Sequence, residues 1–217
     1  MAKFNKGILG PFSGMVGTVV GSFWKGRWVM RSRPTRSNHA PSPAQLHQRA
    51  VFGLCGTFAR ALNSALNVGM ANVARQAQIT ANNACVGINT TNGSVMGTGT
   101  NVSLDYTRAV IAQGSGVMVA NPSVMQGTGH TINVSWMDNT GVSPETLSSD
   151  LVCVAFYNPA RTSAVSDVRS FTRLDCSATL AYPELWAGEE VHVYMFTTNI
   201  SGKIISESQH VASITVA

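Results

Sequence analysis

The side chains in this 217-residue sequence that could do chemistry are five histidines, four cysteines and the adjacent carboxylates Glu189-Glu190. Catalysis needs such groups to converge, as a nucleophile with its base, as paired carboxylates or as a set of metal ligands. The spacing here supplies none of these. His39, His47, His130, His192 and His210 contain no H-E-x-x-H or related pattern, and only His192 and His210 are placed to face each other, across the final hairpin, where a structural role is expected. Cys55, Cys85, Cys153 and Cys176 form no C-x-x-C pair, which excludes the common zinc patterns. Cys153 and Cys176 lie in strand-like runs and either bond to each other or stay as buried thiols, the latter favoured. Glu189-Glu190 follows Trp186-Ala187-Gly188 in a turn, where neighbouring carboxylates are ordinarily solvated. Gly97-x-Gly99 and Gly114-x-Gly116 lack the Lys and the helix start of a phosphate-binding loop. No catalytic residue, cofactor or metal is therefore expected, and the chain is read as no enzyme.

A different chemistry is concentrated near the N-terminus. Lys25, Arg27, Arg31, Arg33, Arg36 and Arg49 stand close to Trp24 and Trp28, and no acidic residue precedes Asp105. Cations beside aromatic rings neutralise phosphates and stack bases, but Arg and Trp also dominate protein interfaces. Residues 1–104 hold ten Lys and Arg and no Asp or Glu, whereas residues 105–217 hold five against ten, so the two parts carry +10 and −5. Opposite signs within one chain favour contact between copies of it. Only 12% of residues are charged, which leaves little repulsion between copies.

The elements that position these residues follow from pattern. Residues 1–41 read as a basic, glycine-rich assembly arm. Lys25-Gly26 is a two-residue hairpin turn between Thr18–Trp24 and Arg27–Arg31 that pairs Phe23 with Trp28. A lone hairpin is marginal in water, so it needs another surface. The apolar stretch after Lys3 and Lys6 resembles a signal peptide only faintly, since Gly10, Pro11, Gly14, Gly17 and Gly21 interrupt it, and no apolar run is long enough to span a membrane.

Residues 42–104 read as a helix plus a polar connector. Ser42-Pro43 starts the helix, and Leu46, Ala50, Gly53, Leu54, Phe58, Ala61, Leu62, Ala65 and Gly69 recur at helical spacing to about Gln78. Gly53, Gly56 and Gly69 would be tolerated where two backbones approach closely. This helix packs either on its own chain or at a contact between subunits. Residues 79–104 carry no charge and read as loop or short strands.

Residues 105–217 read as an antiparallel β-sandwich of short strands: Thr107–Ala112, Val117–Ala120, Thr131–Met137, Leu151–Asn158, Ala164–Val168, Ala178–Tyr182, and a long hairpin of Glu190–Thr198 with Ile204–Val216. Val191, Val193 and Met195 alternate with His192, Tyr194 and Phe196, so both faces of that strand are apolar and one must be covered by something beyond the opposite sheet.

Val134-Ser135-Trp136, Val191-His192-Val193-Tyr194 and the Gly202-Lys203 turn resemble a fibronectin type III or immunoglobulin-like sandwich. That resemblance covers about residues 105–217 and implies an antiparallel sandwich there; with the hairpin arm and the helix that precede it, the chain reads as mainly β with one long helix. A more particular resemblance covers the whole chain. The run from Lys6-Gly7-Ile8-Leu9-Gly10-Pro11-Phe12 to Phe23-Trp24-Lys25-Gly26, the exit Arg31-Ser32-Arg33-Pro34 and the helix start Ala44-Gln45-Leu46-His47-Gln48-Arg49 are similar to a family of small uncharacterised proteins of Bacteroidota genomes and phage-like contexts. It implies no reaction or ligand.

Together these readings lead to an expected structural subunit that self-assembles through its arm into an extracellular filament or virion-type assembly. Its partners would be many copies of itself, and other structural proteins of the same assembly. Phe23, Trp24, Trp28, Val29, Arg31, Arg33, Arg36, Leu46 and Phe58 are the expected interface residues. The alternatives are a nucleic-acid-associated capsid or shell protein using the basic arm, and a surface adhesin using the sandwich loops.

Overall fold

The computed structural model describes residues 3–4, 10–35 and 39–217, which divide into two compact units, Met1–Ser42 and Pro43–Ala217. The first is a four-stranded antiparallel sheet of β1 (Lys3–Phe4), β2 (Phe12–Val16), β3 (Val19–Trp24) and β4 (Arg27–Ser32), in that spatial order. The turn chemistry explains the β3–β4 hairpin. Lys25 and Gly26 both take positive φ, 47° and 82°, as a two-residue turn matched to strand twist requires. The register pairs Phe23 with Trp28, as the turn predicts. Two further strands extend the hairpin into a sheet.

The second unit begins with α1 (Pro43–Ala61), α2 (Asn63–Gly69), α3 (Ala71–Ala77) and α4 (Ala81–Thr91). The single helix expected over 44–78 is thus three segments jointed at Leu62 and Met70. Backbone hydrogen bonds from Leu66 to Leu62 and from Ala74 to Met70 carry the ladder through the joints. Gln78 ends the run in the left-handed conformation at φ 54°. Thr80 then caps α4, its Oγ1 accepting the Asn83 amide at 3.1 Å. The stretch 79–104, expected as loop or short strands, therefore holds a helix followed by the hairpin β5 (Val95–Thr98) and β6 (Asn101–Leu104). Its polar residues are partly internal. Buried Asn89 donates to the Val110 carbonyl and accepts from the Val110 amide, both at 2.8 Å.

The remaining strands are β7 (Ala120–Gln126), β8 (Thr131–Met137), β9 (Leu151–Asn158), β10 (Ser163–Thr172), β11 (Ser177–Ala181), β12 (Glu190–Thr198) and β13 (Gln209–Thr215). They form two antiparallel sheets, β10-β9-β12-β13 and β11-β8-β7. Thr107–Ala112, expected as a strand, is irregular chain whose Ile111 and Ala112 are buried, and β7 begins only at Ala120, the last residue of the expected Val117–Ala120. Apolar content alone does not distinguish a buried coil from a strand.

Two apolar clusters explain the doubly apolar strands. Val152, Val154, Phe156, Val191, Val193 and Met195 on one face of β9 and β12 share a core with Ile132, Val134, Trp136, Ala178 and Leu180 of the three-stranded sheet. Cys153, Ala155, Tyr157, Tyr194 and Phe196 on the opposite face pack with Phe58, Leu62, Leu66 and Cys85 of the helices. The expected boundary at 104/105 falls inside this second cluster, so helices and strands form one unit. The fold is mainly β, with several antiparallel sheets and four α-helices.

Candidate functional site

The strongest candidate is the N-terminal sheet, whose two faces differ. Successive strand side chains point to opposite faces, so the pairings Gly14–Gly21, Gly21–Met30 and Phe23–Trp28 place Val16, Val19, Phe23, Trp28 and Met30 on one side. Phe12 shares it, because its ring lies over Gly21, where a Cβ would meet ring carbons at 2.7 and 2.8 Å. Glycine at this position is what lets the ring settle there. The Phe23 and Trp28 rings touch, with centroids 4.9 Å apart and tilted by 53°. This side bears no charged residue between Phe12 and Met30. Val16, Phe23, Trp28 and Met30 are all exposed, at 44, 56, 43 and 68% of their surface.

The other side carries Met15, Val20, Ser22, Trp24, Arg27, Val29 and Arg31. It is basic and aromatic at once. Every residue of β4 is exposed, and its outer edge pairs with no other strand among the described residues. An unpaired edge offers backbone donors and acceptors to another chain.

The sequence-expected interface residues are therefore distributed unevenly. Phe23, Trp24, Trp28, Val29 and Arg31 lie together on the sheet, exposed Arg33 follows it, and Arg36 is outside the described residues. Leu46 is exposed on α1 in the second unit. Phe58 is a correction: it is 1% exposed in the core, packed by Tyr157 and Tyr194, so it is a core residue of this fold and is not available to a partner. The exposed aromatic of α1 is Phe52. Met15, Val16 and Met30 were missed as surface residues, although the period-two alternation that follows from the hairpin register would have placed them.

Apart from the His192–His210 pair, the histidines, cysteines and adjacent carboxylates do not converge on a common site. Among the described residues no three His, Cys, Asp or Glu side chains are placed to hold a metal ion. All four cysteines are free, with Cys55, Cys85 and Cys153 buried. Burial pushes the Cys85 and Cys153 thiols up to about 12, far from reactive thiolates. Glu189 accepts two hydrogen bonds from Arg161 and one from Asn158, which hold its carboxyl below the usual range in a structural role. His192 and His210 do meet, 3.2 Å apart. A buried ion pair that sequence gave no sign of joins Arg173 to Asp150 at 3.4 Å, with Arg173 also donating to the Val117 carbonyl and to Asn139. No helix of the described residues is long and apolar enough to cross a membrane.

Fold and surface thus define a mainly β protein with an exposed, two-faced N-terminal sheet. The chain belongs to DUF6266, a family of unknown function that matches it over residues 11–212. No curated protein matches it. Among solved structures, the fn3 domain of human collagen alpha-1(XX) chain is similar at 20% identity and a TM-score of 0.34, over 49% of this chain and 90% of that one.

Proposed function

We propose that this protein is a structural subunit that self-assembles through its N-terminal sheet into a filament or virion-type assembly. The uncharged apolar side of that sheet carries the reading, with Phe23, Trp28 and Met30 open to solvent in a single chain. Burying such side chains against a neighbour stabilises by roughly 1.5–3 kcal/mol each. The occupant is a second copy, because the acid-free region 1–104 complements the acidic excess of 105–217. The free edge of β4 adds a route by strand addition. In this reading the two-sheet body is an immunoglobulin- or fibronectin III-like spacer, supported by the single apolar cluster that its sheets share around Trp136.

A second reading rests on the other side of the sheet, where Trp24 stands with Arg27 and Arg31, a pairing that suits nucleic acid. One experiment separates them. Full-length protein freed of nucleic acid is compared by sedimentation and electron microscopy with a chain starting at Ser42 and with the double variant Trp28→Ser, Met30→Ser. Regular particles from the full-length chain alone, lost in both variants, are expected. Monomers from all three overturn self-assembly, and particles that form only with nucleic acid and dissolve steeply with salt favour the second reading.

A further inference from the structure

His192 on β12 and His210 on the edge strand β13 are the residues in question. Their ladder slips between Val193 and Tyr194, bringing His210 opposite Tyr194 and diagonal to His192. At this bulge Nδ1 of His192 lies 3.2 Å from Nε2 of His210, so one nitrogen donates a proton to the other's lone pair. The rings are held in place. Tyr106 stacks on His192 with centroids 4.4 Å apart at 29°, and Tyr194 meets His210 edge-on at 5.3 Å. His192 is 8% exposed.

We propose that this pair is an acid-operated latch on the C-terminal edge strand. With one proton shared between the two rings, the pair ties β13 to β12; with both rings fully protonated, two N–H donors and two positive charges face each other at hydrogen-bond distance and drive the strands apart at the bulge. One added proton still leaves a donor and an acceptor in register. The second does not. This inference is independent of the proposed assembly, since it concerns a contact inside one chain.

The surrounding groups set the direction. Tyr157 of β9 pairs with His192 in register, and Tyr106 and Tyr194 supply neutral rings. Glu190 on the same strand and Asp105, itself 3.5 Å from Arg108, are the carboxylates whose fields favour the charged imidazoles. Burial is the larger influence on both rings, and it holds both below the ordinary histidine range. An unfolded chain takes up these protons near pH 6.5, before the folded protein does. Stability that is complete above that pH is therefore lost as pH falls below it, until the folded pair itself is protonated.

The test follows imidazole ¹⁵N shifts and backbone amide exchange in the full-length wild-type protein from pH 7.5 to 4.5. Both rings are expected to titrate below the ordinary histidine range, and entry of the second proton should coincide with about tenfold faster exchange in β13 relative to β9. His210→Gln should keep β13 protected through the same acid range. Rings that titrate near pH 6.5, or that both protonate with β13 exchange unchanged, overturn the latch, as does a His210→Gln variant that loses protection where the wild type does. If that variant does not fold, the wild-type titration decides alone.

Discussion

The Phe58 ring of α1 meets the Tyr157 ring of β9 edge to face, their centroids 4.9 Å apart at 77°. This contact joins the helical layer to the central sheet. Tyr106 and Tyr194 complete the aromatic group around it, with the Tyr194 hydroxyl donating to the Tyr106 carbonyl at 2.8 Å. The helices therefore cover the sheet's second apolar face within one chain.

Phe58→Ala is expected to destabilise the protein by about 3–5 kcal/mol, the cost of truncating a buried aromatic. Leu46→Ala, on the exposed face of the same helix, should stay within about 0.5 kcal/mol. Denaturant unfolding of the two variants checks the contrast. An exposed Phe58 with a cost as small as that of Leu46 would contradict the packing described.

Arg173 and Asp150 should behave as a buried pair. Arg173→Ala strands the Asp150 carboxylate and frees the Val117 and Asn139 contacts, with an expected loss of about 3–5 kcal/mol. The double variant Arg173→Met, Asp150→Leu should be less damaging than Arg173→Ala alone, because no unpaired charge remains inside. Thermal unfolding of the three proteins side by side measures the coupling.

Three helical glycines should respond with opposite signs. A Cβ on Gly69 would lie 2.5 Å from the Ile111 carbonyl oxygen and 2.7 Å from the Ala112 Cβ, so Gly69→Ala should destabilise by about 1–3 kcal/mol. At Gly53 and Gly56 nothing lies within 4 Å of a Cβ, so alanine at either should gain about 0.5–1 kcal/mol through helix propensity. Melting temperatures settle the signs. Close backbone approach thus accounts for Gly69, and nothing within the described chain accounts for the other two.

Much of this architecture was legible in residue order. Lys25-Gly26 specified the β3–β4 turn and its register, since few two-residue turns match the twist of paired strands. Alternation along β12 announced two buried faces. Period and turn type are local properties. They depend only on neighbours along the chain.

What those faces meet was decided in three dimensions. Helical spacing made Phe58 apolar-facing but could not say whether the facing surface was its own β9 or another subunit, because that depends on contacts between residues about a hundred positions apart. The same holds for Gly69 beneath Ile111, for Arg173 beside Asp150, and for the bulge that carries His210 to His192. The N-terminal sheet differs. Its pattern determined two faces, and on one of them Phe23, Trp28 and Met30 are exposed.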